Sequence, residues 1–146
     1  MRARKLIVLA IAVIALSVMT VSAGEYITAA KCKMCHKLQY TSWEGMAHAK
    51  AFDQLKGDEA SNAECLKCHA TGGSAEMPGV QCEACHGPGS EYKSMKIMKD
   101  HDASVSAGLI LPDEATCKSC HEGAPHDQAA FDYAEAVKKG VHEHKE

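Results

Sequence analysis

The chain has 146 residues, a formal net charge of −3, eight cysteines and nine histidines. That is one domain's worth of sequence, with no basic patch of the kind that engages nucleic acid. Two phenylalanines, one tryptophan and four tyrosines, beside an apolar count that leans on alanine and cysteine, are too little bulk for an ordinary core of this size.

Arg2, Arg4 and Lys5 precede an apolar run from Leu6 to Val18 that is short for a membrane span, and Val21-Ser22-Ala23 is an A-x-A-like cleavage site. Residues 1–23 are therefore predicted to be a secretory signal peptide. Residues 24–146 then form one mature domain, periplasmic or extracellular, with no transmembrane span after cleavage. No cysteine sits at the cleavage point, which argues against a lipid anchor. Without the leader, thirteen basic side chains face nineteen acidic ones, a formal charge of −6, and such a surface steers a basic partner toward it.

In the mature region, Tyr26 to Lys31 leads into Cys32-Lys-Met-Cys35-His36. Tyr40, Trp43, Ala47, Ala51 and Leu55 recur at spacings of three and four, predicting one helix over 38–55. A polar break from Lys56 to Ser61 precedes Cys65-Leu-Lys-Cys68-His69. Ala70 to Gln81 carries Gly72-Gly73, Pro78 and Gly79 and reads as a loop, short enough to hold the second and third motifs together. Cys82-Glu-Ala-Cys85-His86 follows, and Gly87-Pro88-Gly89 forces a turn. A helix is expected over 90–101. Residues 103–116 have no firm period until Pro112-Asp113-Glu114 signals a turn of helix into Cys117-Lys-Ser-Cys120-His121. A last helix is predicted over 131–144, with Ala130, Ala134, Val137 and Val141 on one side and Gly140 weakening its end. Strand signals are weak throughout, so the expected fold class is mainly α with extensive loops.

The four Cys-x-x-Cys-His runs use all eight cysteines, and this run is the attachment signature of a c-type haem. Two thiols three residues apart lie on one side of a helical turn and reach both vinyl groups of one porphyrin; the next histidine offers its imidazole to the iron. A disulfide framework explains the even cysteine count but not the histidine after each second cysteine. Zinc knuckles and thiol redox motifs leave the same adjacency unexplained. The expected cofactors are four covalently bound c-type haems, held by Cys32 and Cys35, Cys65 and Cys68, Cys82 and Cys85, and Cys117 and Cys120. The fold is then a small multihaem cytochrome c packed around its haems, and the porphyrins supply the missing apolar bulk.

His36, His69, His86 and His121 are the proximal iron ligands in this reading. His48, His101, His126, His142 and His144 remain, and since a second axial ligand in c-type cytochromes is commonly His or Met, bis-histidine ligation is the expectation. His48, beside Trp43, and His101 are the leading distal candidates. The pair His142 and His144 supplies one ligand, with helical period favouring His144. His126 is read as a loop residue rather than a ligand, and Met46, Met95 and Met98 as packing.

The chain resembles the tetrahaem cytochrome c554 family, as a short member. The matching segments are Cys32-Lys-Met-Cys35-His36-Lys37, Trp43-Glu-Gly-Met-Ala-His48-Ala-Lys-Ala-Phe52, Cys68-His69-Ala-Thr-Gly72, Gly79-Val-Gln-Cys82-Glu-Ala-Cys85-His86-Gly-Pro-Gly89, the Cys117 motif, Phe131-Asp132 and His142-Glu-His144. The resemblance implies His101 as distal ligand to the first haem, His142 to the third and His48 to the fourth. It implies a five-coordinate second haem on His69, and His126 is not part of its pattern. On the C-terminal ligand the family pattern is followed, at His142.

The expected function is exported electron transfer between redox partner proteins that the sequence does not name. Bis-histidine ligation sets potentials at the low end for cytochromes, because it lacks the raising effect of Met. No acid–base or nucleophile constellation stands out, so a carrier rather than an enzyme is expected. Two alternatives stand beside it. One is a redox enzyme acting on nitric oxide, hydroxylamine or oxygen at an open haem on His69. The other is a conductive filament in which a spare histidine such as His126 ligates a neighbouring subunit's iron.

Overall fold

The computed structural model describes residues 24–124, 126 and 130–143; the expected signal peptide and His144 lie outside them. The described chain is mainly helical with no sheet: short helices joined by loops, with one isolated bridge point where Ala70 meets Pro78 and Gly79. None of these helices is long and apolar enough to cross a membrane. The α-helices are α1 (Ala29–Cys32), α2 (Lys37–Glu44), α3 (Ala63–His69), α4 (Cys82–His86), α5 (Met95–Met98), α6 (His101–Ser106), α7 (Glu114–His121) and α8 (Tyr133–Lys139). Tighter 3₁₀ turns run over His48–Gln54, Gly57–Ser61 and Thr71–Gly73.

Each Cys-x-x-Cys-His run sits on or at the end of a helical turn, and the residue before the helix fixes where it begins. Asn62 caps α3 by accepting from the Glu64 N–H at 2.9 Å. Asp113 caps α7 by accepting from the Thr116 N–H at 2.9 Å, and the Thr116 hydroxyl lies 3.3 Å from the Asp113 N–H. Both satisfy donors that a helix start leaves open. Helix α1 pairs with α4, and α3 with α7, so the motifs associate first with third and second with fourth.

The segment from Gly79 to Gly89 is the hub. Thr71, fully buried, donates its hydroxyl to the Gly79 carbonyl at 2.9 Å and accepts the Gln81 N–H at 2.9 Å. The Val80 carbonyl accepts the Trp43 indole N–H at 2.8 Å, and the Val80 N–H donates to the His48 carbonyl at 2.9 Å. Gln81 accepts the Ala29 N–H at 2.8 Å. Glu83, 1% exposed, accepts N–H groups from Ile27 at 2.9 and 3.0 Å, Thr28 at 2.8 Å and Gly89 at 2.7 Å. The Tyr92 hydroxyl donates to the carbonyls of Gly87 at 2.6 Å and His86 at 3.0 Å. A buried polar group is tolerable only when paired, and here the pairing fastens the first motif and the His48 turn onto the third. Glycine is required at Gly79, where φ is +80° and an added Cβ would stand 2.6 Å from the Ala49 carbonyl oxygen. Thr28 carries a positive φ of 73°, a strained state for a β-branched residue; the Glu83 bond to its N–H holds it there.

The interior is thin. Ala29, Leu66, Ala70 and Tyr92 are the buried apolar residues among those described, while Met34, Met95, Leu111 and Val137 are more than half exposed.

Three predicted elements differ. The helix expected over 38–55 breaks after Glu44, because the carbonyls of the second half are committed elsewhere: His48 O accepts Val80 N–H and Ala51 O accepts the His69 ring at 2.7 Å. Residues 90–101 hold only α5, capped by Ser94, and α6 starts afresh at His101 behind the Asp100 cap. The C-terminal helix stops at Lys139, where Gly140 takes φ +71°, so helical period does not extend to His142.

Candidate haem sites

Thiols from different motifs are brought together. Cys32 hydrogen-bonds to Cys82, which pushes the Cys32 thiol up and Cys82 down. Burial, reinforced by a hydrogen bond to Cys120, pushes Cys68 up to about 12. Burial likewise raises Cys85 and Cys117. All eight cysteines are free thiols.

The histidines face one another in pairs. His48 and His121 have ring centres 5.8 Å apart at 70°, His69 and His126 5.7 Å at 38°, and His86 and His142 6.2 Å at 33°. A metal–imidazole bond is about 2 Å; with each ring centre roughly 1 Å behind its nitrogen, two trans imidazoles hold their centres about 6 Å apart. The observed spacings fit two rings sharing one iron.

Backbone carbonyls set the ring orientation. His69 donates Nδ1–H to Ala51 O at 2.7 Å, His86 to Ile110 O at 3.1 Å and His142 to Glu143 O at 3.1 Å. A carbonyl accepts only from a protonated nitrogen, so each of these bonds places a proton on Nδ1, the second contact that metal-binding histidines commonly make. Burial, with the neighbouring His121, lowers the pKa of His48, keeping its ring neutral and able to ligate. Phe131 stacks on His121 with centres 4.7 Å apart at 16°. The Glu143 N–H donates to Ser42 Oγ at 2.7 Å, tying the tail that carries His142 to α2.

His48 and His142, both singled out in the sequence, thus stand opposite proximal histidines of the fourth and third motifs. His101 opens α6, its Nδ1 3.2 Å from Asp102; among the described residues no comparable ring contact joins it to His36. The departure from the sequence reading is His126. Its loop setting argues against a ligand role and leaves His69 without a partner, yet its Nε2 lies 3.5 Å from that of His69. The only sequence signal for it is arithmetic, five spare histidines for four irons.

Paired Cys-x-x-Cys-His turns, facing imidazoles and an interior short of apolar side chains define a multihaem c-type cytochrome with covalent haem attachment. The chain matches the cytochrome c554 family by sequence model, by relative and by structure. The family model "Cytochrome c554 and c-prime" matches residues 31–87. Cytochrome c-554 of Nitrosomonas europaea is 27% identical over 176 residues, spanning 87% of this chain and 74% of that one. The reduced-state structure of cytochrome c554 from Nitrosomonas europaea superposes with a TM-score of 0.63 at 25% identity, covering 84% of this chain and 87% of that one. The protein is a cytochrome c554-like electron-transfer protein.

Proposed function

We propose that the chain holds four c-type haems, one on each Cys-x-x-Cys-His motif, and relays electrons outside the cytoplasm between redox partner proteins without catalysing a reaction of its own. The observation that carries this reading is the facing of histidines from separate elements, with ring centres 5.8, 5.7 and 6.2 Å apart. Bound haem supplies an iron that gains and loses one electron. The chain's residues do the rest. Eight thiols fix the attachment points. His36, His69, His86 and His121 would each hold the iron of their own motif's haem; His48 would serve the iron on His121, His142 that on His86, and His101 that on His36. The carbonyls of Ala51, Ile110 and Glu143 hold imidazoles in the metal-binding tautomer and raise their basicity. Export through the 1–23 leader fits thiols that acquire haem beyond the cytoplasm, and the acidic mature surface favours basic partners.

The test is the intact mass of holoprotein purified from its exported fraction. A chain beginning at Gly24 plus four haems is expected, with colour retained on denaturation because thioethers survive unfolding. A mass with fewer than four haems, or with disulfides in their place, refutes the assignment.

A further inference from the structure

We propose that His126 is the second axial ligand to the iron held by His69, in the same chain. The proposal rests on the haem reading above and adds a ligand that the family resemblance does not contain. Three observations converge on it. The two rings stand 5.7 Å apart, close to the 5.8 Å of His48 and His121 and the 6.2 Å of His86 and His142. Their Nε2 atoms, not their carbon edges, are the atoms that approach, at 3.5 Å. Two metal–imidazole bonds of about 2 Å in line require about 4 Å between those nitrogens, so a small outward movement of one ring admits the iron. His69 is also held in orientation, since its Nδ1–H is committed to Ala51 O at 2.7 Å, and its Nε2 is the ring nitrogen turned toward His126.

A position closed by His126 changes what the protein can do. A six-coordinate, low-spin iron passes electrons but offers no vacant coordination position to nitric oxide, hydroxylamine or oxygen. The carrier function then extends to all the sites with facing histidines, and the enzyme alternative loses the one iron on which it depended. His126 is exposed, on the loop between α7 and α8, so replacing it removes a ligand without opening the interior.

Electron paramagnetic resonance of the oxidised, monomeric holoprotein tests this. Wild type is expected to lack a high-spin ferric signal from this site, and His126→Ala to gain one high-spin centre. The variant should bind cyanide at least tenfold more tightly than wild type and return to low spin on adding imidazole. His126→Met should restore a low-spin centre with a thioether spectral signature. A wild-type high-spin centre that His126→Ala leaves unchanged overturns the ligand assignment while the haem count stands. A low-spin signal that turns high-spin on dilution overturns the same-chain ligand in favour of a neighbour's. A Cys65–Cys68 peptide carrying no haem overturns the haem reading instead, and mass spectrometry separates that failure from the other two.

Discussion

Replacing Glu83 with alanine removes the acceptor for three backbone N–H groups, those of Ile27, Thr28 and Gly89, at 2.7–3.0 Å. A hydrogen bond to a charged group contributes about 1.5–3 kcal/mol net, so three together set an upper range of about 4.5–9 kcal/mol. Two effects offset part of it. Residues 25, 26 and 28 are exposed, so water reaches some of the released donors, and Thr28 relaxes from its positive φ, returning about 1–2 kcal/mol. The expected net loss is about 3–5 kcal/mol, the range for breaking a buried charged constellation. Glu83→Gln keeps the volume and one acceptor oxygen and should lose about 1.5–3 kcal/mol. The assay is denaturant unfolding of holoprotein followed together by the Soret band and far-ultraviolet circular dichroism. Glu64→Ala is the control, because that carboxylate is 78% exposed and pairs with Lys67 on the surface, where such pairs contribute little. If Glu83→Ala unfolds at the same denaturant midpoint as Glu64→Ala, Glu83 does not fasten the first motif to the third.

His48→Ala should leave the iron on His121 with one protein ligand and add one high-spin ferric signal; unchanged haem spectra would show that His48 is not a ligand. Gly79→Ala forces a side chain into a +80° backbone against the Ala49 carbonyl and should cost about 2–4 kcal/mol, read as a lower denaturant midpoint, with a perturbed spectrum because the neighbouring Val80 N–H holds His48. A variant with all eight cysteines changed to alanine should lack cooperative unfolding and most helical circular dichroism, since the four buried apolar residues of the described chain do not make a core; a sharp transition without haem would refute the cofactor-built interior.

The parts legible in the sequence are those set by local spacing. Cys-x-x-Cys-His fixes a helical turn, and Pro112-Asp113-Glu114 marks the start of α7. The missing core is readable from the scarcity of aromatic residues. What stays hidden depends on partners distant in sequence. The apolar period from Tyr40 to Leu55 is helical, yet His48 and Ala51 give their carbonyls to Val80 and His69, and no window of neighbours reports that. The role of Glu83 is invisible for the same reason: in sequence it is a spacer between two cysteines, and only the fold surrounds it with donors from residues 27, 28 and 89. His126 has no apolar period or flanking motif, so its position opposite His69 emerges only from the fold.

The turn from His48 to Gln54 serves two sites at once. Its first residue presents a ring to His121, and three residues later its Ala51 carbonyl grips His69. Displacing that backbone alters the ligand field at one centre and the basicity of the imidazole at another. With haems held as proposed, the two reduction potentials would not be independent inheritable traits: a substitution within this turn would shift both, and a change confined to one centre would act through a residue such as Phe131 that touches a single site.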